Sequence, residues 1–373
     1  MGLYKRGFVY RVYPTDAQRE QIERTLGSCR FVYNEALEYC QKQYKAKQSH
    51  PSYIDLQNRL PGLKTAHPWL EEADSKALQQ ACRGLSNAYA KFFRNIKNKV
   101  RPAGFPRFKS KHNRKQSYVT TAASTMAIEE GRVKVPKLGW LKATTSRIPE
   151  GKIKRCTVRR TASGFYEVSF IVEVKIAPLS QRTESLGLDL GVANLVTDSN
   201  GKMYENPKYF ERTQKRLRRA QQSLSRKQKD SKNREKQRLK VARLHEHCSN
   251  QRKDYLHKLS TQLISENQVI CVEDLSVKKM LGNKHLAMKL SDAGMSELLR
   301  MLRYKAEQYG RELIEVPRFL PSSQSCSACG AINLKVKNLS VRSWACPSCG
   351  EKHDRDINAA KNILTVGLML NSA

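Results

Sequence analysis

The chain has 373 residues, 69 of them Lys or Arg against 34 Asp or Glu, for a net charge of +35. That length allows two or three domains with real cores, and a hydrophobic content of 39% excludes a disordered chain. Such an excess of charge costs stability through self-repulsion, so nucleic acid is the expected partner; a membrane would require an amphipathic anchor or an apolar span of ~20 residues, and neither is found.

The first residues, Met1-Gly2-Leu3-Tyr4-Lys5-Arg6, lack an apolar signal core, and Arg6 stands where myristoylation would need Ser or Thr. A cytoplasmic protein working at the nucleoid is expected. Six cysteines (Cys29, Cys40, Cys82, Cys156, Cys248, Cys271) are scattered, a usage that suits a reducing compartment.

In chain order, Phe8 to Tyr13 alternates as a strand and ends at Pro14, and Thr15-Asp16 caps a helix with Gln18, Ile22, Leu26, Phe31 and Leu37 at helical spacing. Helical periodicity runs to about Val100, with breaks at Pro51, Pro61 and Pro68, and is clearest from Ala77 to Ile96. Residues 14–100 therefore read as a helical unit inserted after a lone strand. The loop Arg101 to Lys109 mixes prolines with Phe105, Arg107, Phe108 and Lys109. Charge plus stacking suits a nucleic-acid contact there, and a rigid connector anchored by its phenylalanines is an equal reading. Residues 117–177 are strand-rich, with strands expected at 133–136, 154–160 and 166–174. The lone first strand is expected to join them in a small β-barrel.

A polar linker, Pro178 to Glu184, opens a second domain. Ser185 to Val192 reads as a strand and Asn194 to Gly201 as a second strand and a turn. Residues 208–258 form a long basic stretch of two helices, including Lys215, Arg218 and Arg219, whose one-sided charge suits phosphate contact. Val269 to Leu275 is a buried strand, Leu298 to Tyr309 a helix, Glu312 to Val316 a strand, and Ala359 to Leu370 a closing helix.

Two motifs carry chemistry. Cys326-Ser-Ala-Cys329 and Cys346-Pro-Ser-Cys349 flank sixteen residues, the spacing of a zinc ribbon. Four cysteine ligands close the coordination shell, so this Zn2+ is structural. Asp189 is the only acid in a strand of Leu, Gly and Val, and Glu273 ends an apolar strand in the same way. Burying either unpaired costs about 2 kcal/mol or more, which a metal ion offsets. With Asp356 at the start of the last helix they form the parts of an RNase H-like site, in which two Mg2+ or Mn2+ ions about 4 Å apart grip a scissile phosphate. Asp354 is a rival two residues away. Asp356 fits better because Asn358-Ala359-Ala360 lets the helix approach the sheet, which leaves Asp354 as a cap or an outer-shell partner. Asp274 adjoins Glu273, but pleating turns it to the other face.

These residues resemble the TnpB family, transposon-encoded relatives of type V CRISPR effectors. The resemblance runs nearly end to end, through Leu26 to Asn34, Gly104 to Lys109, Gly187 to Gly191, Val272 to Leu275, Pro321 to Gln324, and Cys346 to Gly350 followed by Asp354 to Ala360. It implies a multidomain α/β protein: a wedge β-barrel (1–13 and 101–180), a helical recognition lobe (14–100), and a RuvC nuclease domain (181–373) with a zinc ribbon at about 321–353. It implies one protein on a guide RNA derived from the transposon end, a short adjacent motif read on duplex DNA, and cleavage of both strands by one RuvC site. Asp189, Glu273 and Asp356 fall on the family's catalytic acids. Tyr53, Lys76, Gln79, Thr120, Thr121 and Ser124 are the candidates for reading the motif. The rival readings are a nuclease-dead repressor, which would have lost one or more of the acids, and a transposase that joins strands.

Overall fold

The computed structural model describes residues 2–113, 115–275, 280, 282, 284–338 and 340–372. The chain forms two compact units, Leu3–Lys175 and Ile176–Ala373.

The first unit begins with β1 (Gly2–Tyr13), whose burial alternates before Pro14 ends it. Thr15 then caps α1 (Asp16–Lys45) in a reciprocal capping box with Gln18. The Gln18 amide also donates to Leu138 O (3.1 Å) and Trp140 O (2.9 Å), tying the helix start to the sheet. Two short helices follow, α2 (Tyr53–Asn58) and α3 (Leu60–Ala66). Pro61 stands in the first turn of α3, where its missing N–H has no partner to lose, so it starts a helix instead of breaking one. Next comes α4 (Ser75–Lys97), capped by Asp74 and packed on α1. Six more strands complete the unit: β2 (Gln116–Thr120), β3 (Ala127–Glu129), β4 (Arg132–Val135), β5 (Gly139–Thr144), β6 (Lys152–Arg160) and β7 (Tyr166–Ile176).

These strands form one seven-stranded sheet in the order β2-β6-β7-β1-β5-β4-β3. As expected, the lone first strand joins it, and β1 sits at the centre. Among the described residues the order has two ends, so the ladder is an open sheet and not a closed barrel. β3 has only three residues with which to extend it, and β2 packs against α1 and α4.

The second unit holds β8 (Ser185–Asp189), β9 (Asn194–Asp198), β10 (Met203–Glu205), α5 (Tyr209–Ser225), α6 (Lys232–Glu266), β11 (Val269–Glu273), α7 (Lys284–Ala293), α8 (Met295–Tyr309), β12 (Glu312–Val316), the ribbon hairpin β13 (Ser343–Ala345) and β14 (Lys352–Asp354), and α9 (Arg355–Ser372). Its five-stranded sheet runs β10-β9-β8-β11-β12. β9 is antiparallel to β8 and β10, whereas β8, β11 and β12 are parallel. β8 ends at Asp189, three residues earlier than its apolar run suggests, and α9 begins at Arg355, four residues earlier than its apolar pattern.

The pleat sorts side chains to two faces. Leu186 and Leu188 of β8 and Ile270 of β11 enter a core with Leu256 and Leu263 of α6 and Leu298 and Leu302 of α8. On the other face Val269 and Cys271 pack with Val316 and with Ile363 of α9. Gly187 lies under α9, where a Cβ would stand 2.1 Å from Ala360 O; Gly367 lies over Cys271, where it would stand 2.3 Å from Sγ. The two glycines let α9 lie directly on the parallel strands. A buried lysine braces the opposite layer: Lys305 of α8 donates to His257 O, Ser260 Oγ and Thr261 Oγ1 at 2.7–2.8 Å, which satisfies all three of its protons.

Candidate active site

Asp189 and Glu273 terminate parallel neighbours. Cys271 pairs with Gly187 and Val272 with Leu188, so one further step sets Glu273 beside Asp189. By pleat alternation Asp189 shares the face of Gly187, and Glu273 the face of Cys271, which is the face α9 covers. Asp354 accepts at Oδ1 from the backbone N–H of Asp356 (2.9 Å) and Ile357 (3.0 Å), so it caps α9. That cap fixes where the helix starts and sets Asp356 in its first turn, over the strand ends.

The electrostatics reflect this convergence. The Asp189 carboxyl is pushed up to about 7, first by desolvation and then by repulsion from Glu273 and Asp356, against the pull of Arg355 and Arg342. Its side chain keeps a partial opening to solvent although protein surrounds it closely, as a site that admits a ligand requires. Burial raises Glu273 as well, opposed by a bond from Ser322 Oγ to Oε1 at 2.6 Å. Among the described residues Arg342 pairs with Asp356 at 3.4 Å, and it is well exposed, so it neutralises little. Three carboxylates that offer hard oxygens, with Asp189 raised by burial and by the charges of the other two, fit Mg2+ or Mn2+. Asp274 instead pairs outside the cluster with Arg318, at 2.6 Å.

The four ribbon cysteines converge, with every Sγ within 4.8 Å of the others. Cys326 to Cys349 is 3.7 Å and Cys329 to Cys346 is 3.6 Å. A tetrahedral shell of four sulfurs with bonds of about 2.3 Å has edges of about 3.8 Å, so the set fits Zn2+. Backbone amides of the second knuckle draw the Cys346 thiol down, while the neighbouring sulfurs push Cys349 up, as expected for thiols crowded together. His353 places Nε2 3.0 Å from Cys326 Sγ and packs against Trp344 (ring centroids 4.8 Å apart), within reach for an N–H···S bond to a ligated thiolate.

Sequence reasoning overlooked the groups that hold these parts. Asn358 Nδ2 donates to Ser325 O at 2.7 Å and Asn362 Nδ2 to Ser322 O at 2.7 Å, while Asn358 Oδ1 accepts from Ser327 N at 2.9 Å. The available signal was a pair of asparagines four residues apart, on one face of α9.

The candidate nucleic-acid residues divide. Lys215, Arg218 and Arg219 are exposed on α5, whose Leu217 and Ala220 are buried. In the first unit Lys76 and Ser124 are exposed, Gln79 and Thr121 are half-buried, and Tyr53 lies under the Arg83 guanidinium at 4.5 Å. Thr120 does not fit the expectation. It is fully buried and its hydroxyl donates to Asp74, the residue that caps α4, so it joins strand to helix and is out of reach of a ligand. In the loop, Arg107 and Phe108 are exposed, Phe105 packs edge-on against Tyr89 and Phe92, and the Lys109 backbone is held by Asn34 at 2.8 and 3.1 Å. The loop is thus an anchored connector that also presents Arg107 and Phe108.

Known proteins match most of this chain. Residues 168–284 match the OrfB_IS605 family, described as "Probable transposase", and residues 296–363 the Cas12f1-like TNB domain. Residues 1–49 match a family model described as a helix-turn-helix domain, where this structure has β1 followed by one long helix. A protein of Streptomyces pristinaespiralis, provisionally named RNA-guided DNA endonuclease, is 42% identical over 98% of this chain and 90% of its own length. InsQ of Escherichia coli strain K12, provisionally named in the same way, is 33% identical over 97% and 92%. The fold resembles that in the cryo-EM structure of the Cas12f1–sgRNA–target DNA complex, with a TM-score of 0.58 at 12% identity over 97% of this chain and 98% of that one. Full-length identity at that level, together with the OrfB_IS605 match across the region that carries Asp189 and Glu273, places the chain in the TnpB/OrfB family.

Proposed function

We propose that this protein is an RNA-guided DNA endonuclease. It binds a guide RNA derived from its transposon end, one protein per RNA, reads a short adjacent motif on duplex DNA, and hydrolyses phosphodiester bonds of both target strands. The observation that supports the reading is that Asp189 and Glu273 end two parallel neighbours on the face α9 covers, close enough to Asp356 in its first turn that both other acids raise Asp189. Burial and mutual repulsion lift Asp189 to about 7 there, a cost that a bound cation removes. Asp189, Glu273 and Asp356 would hold the Mg2+ or Mn2+ ions, which when bound would supply Lewis acidity for phosphodiester hydrolysis. The carboxylates would set where the cations stand, and the apolar strands beneath keep that placement rigid. The strand order β10-β9-β8-β11-β12, with β9 running against the other four, supports an RNase H-like, RuvC-type domain. In this reading residues 181–373 are that domain with a ribbon at about 321–353, residues 14–100 are the recognition lobe, and 1–13 with 101–180 are the wedge.

The division of labour suits the charge. Pairing by RNA supplies sequence specificity, so the protein needs many backbone contacts and few base-reading side chains. No helix among the described residues is long and apolar enough to cross a membrane, and the protein is proposed to act in the cytoplasm on nucleoid DNA. The test is to co-express the protein with its flanking locus, sequence the RNA that copurifies, and add a plasmid library with a randomised flank and Mg2+. Depletion of members sharing one flank, lost in Asp189→Asn, is the expected result. Guided binding without cutting would indicate a repressor. Absence of a specific RNA would return the protein to the strand-joining transposase reading that its family description favours.

A further inference from the structure

We infer that Ser322 is a positioning residue of the nuclease centre: it fixes Glu273 for divalent-metal binding, and the zinc ribbon fixes Ser322 through Asn358 and Asn362. The inference rests on reading the three acids as a metal site.

Ser322 lies on the segment between β12 and the first zinc knuckle, and is 6% exposed. Its hydroxyl has one proton, and that proton goes to Glu273 Oε1 at 2.6 Å, the length of a charge-assisted O–H···O bond. With Oε1 committed, Glu273 offers Oε2 to a metal. A glutamate side chain has three rotatable torsions, and β11 fixes only its base. The serine supplies the second point that sets where the carboxylate stands.

Ser322 is itself held from α9. Its carbonyl accepts from Asn362 Nδ2 at 2.7 Å and from Asn358 Nδ2 at 3.3 Å. Both amides also reach Ser325 O, each at 2.7 Å. Asn358 Oδ1 accepts from the N–H of Ser327, inside the knuckle between Cys326 and Cys329. Asn358 is 1% exposed, and an amide so buried is tolerable because both its ends are bonded. Asp356 sits two residues before it on the same helix. One polar clamp thus joins the helix that carries Asp356, the knuckle that binds zinc, and the hydroxyl that holds Glu273. Outer-shell partners of this kind are typically worth about 10–100-fold in metal affinity.

The test is Mn2+ binding by electron paramagnetic resonance on the zinc-loaded full-length chain. Ser322→Ala is expected to weaken Mn2+ affinity roughly ten-fold, with zinc content and melting temperature close to wild type. Ser322→Thr, which keeps the hydroxyl, should restore most of it. Cys329→Ser, prepared zinc-free, should weaken Mn2+ binding in the wild-type background and add little on top of Ser322→Ala. Equal affinity in wild type and Ser322→Ala overturns the role of Ser322. Full additivity of Cys329→Ser with Ser322→Ala overturns the route from ribbon to serine. A wild-type chain that binds no Mn2+, or binds it equally well in Asp189→Asn, overturns the metal-site reading itself, and so the failures are distinguishable.

Discussion

Gly187 and Ala360 meet backbone to backbone: a Cβ on Gly187 would stand 2.1 Å from the Ala360 carbonyl oxygen and 2.8 Å from Leu364 Cβ. The obstacle is space, because the clash is with helix backbone and not with the end of a flexible side chain. Gly187→Ala must therefore lift α9 from β8, at a cost of about 1–3 kcal/mol for overpacking. Because Asp356 rides on α9, DNA cutting should fall further than the loss of stability explains. Cleavage rates well below the variant's melting temperature, with zinc content measured alongside, check this. An unchanged rate and an unchanged melting temperature would mean that the helix does not approach so closely.

Asp189 makes the stability of the Mg2+-free protein depend on pH. Its folded pKa, about 7, lies above the unfolded value of 3.8, so the folded state holds the proton more tightly between them. Stability from this group is greatest below about pH 4 and is lost as pH rises toward 7, by on the order of 4 kcal/mol. Asp189→Asn should remove that slope and stabilise the chain near neutral pH, while abolishing cleavage and sparing guided DNA binding. Thermal melts of both chains from about pH 4 to about pH 8, without added Mg2+ and without chelator, check the sign. The ribbon's own titration is common to both proteins, so their difference isolates Asp189.

The ribbon predicts one zinc per chain. Replacing Cys326 and Cys329 together by Ser leaves two ligands and should release the metal. Trp344, packed on His353 in the ribbon core, should then become solvated and shift its fluorescence to longer wavelength. Unchanged zinc content by elemental analysis would falsify the assignment of the four cysteines as its ligands.

Legibility in the sequence followed the physics of each element. β11 and β12 were readable because short apolar runs bounded by polar residues leave few alternatives. The two cysteine knuckles were readable, and the three acids could be proposed as a site, because each residue type stood out against its surroundings. β3 and β10, three residues each, carry too little pattern to register. The start of α9 was misjudged because its first turn, Arg355-Asp356-Ile357-Asn358, is polar and is held by the Asp354 cap and not by apolar spacing. Thr120 looked like an exposed polar residue in a Thr-rich run, and only the fold shows Asp74 opposite it. The clamp of Asn358 and Asn362 joins residues more than thirty positions apart, which no local pattern announces.

Thr120→Val separates structure from recognition in the first unit. The substitution keeps the shape but removes the hydroxyl donated to Asp74, leaving a buried carboxylate oxygen short of a partner. A cost of about 1–3 kcal/mol is expected, since an unsatisfied buried acceptor loses its full desolvation. Asp74 would still cap α4 through Lys76 N at 3.0 Å, so the helix should persist. Chemical denaturation should show the loss, while affinity for guide RNA and motif-bearing DNA stays at the wild-type value under native conditions. A selective loss of motif binding at unchanged stability would restore Thr120 as a recognition residue.

Lys215, Arg218 and Arg219 are exposed, while Leu217 and Ala220 face α6, so the helix pair has its packing on one side and its charge on the other. Across the pair Arg216, Lys236, Lys240, Arg243 and His247 line a cleft of about 430 Å3. Contacts of this kind bind phosphate by releasing counterions, and each one lost should lower the slope of log affinity against log salt by about 0.7 to 0.9. Replacing Lys215, Arg218 and Arg219 by Gln should thus reduce the slope by about 2 to 3 if all three touch the backbone. The loss should be the same for every guide sequence, because phosphates carry no base identity. The packing residues are untouched, so the melting temperature should hold or rise slightly as like charges are removed. Titrations of guide RNA at several salt concentrations decide it, and a parallel downward shift with an unchanged slope would assign these side chains to something other than phosphate contact.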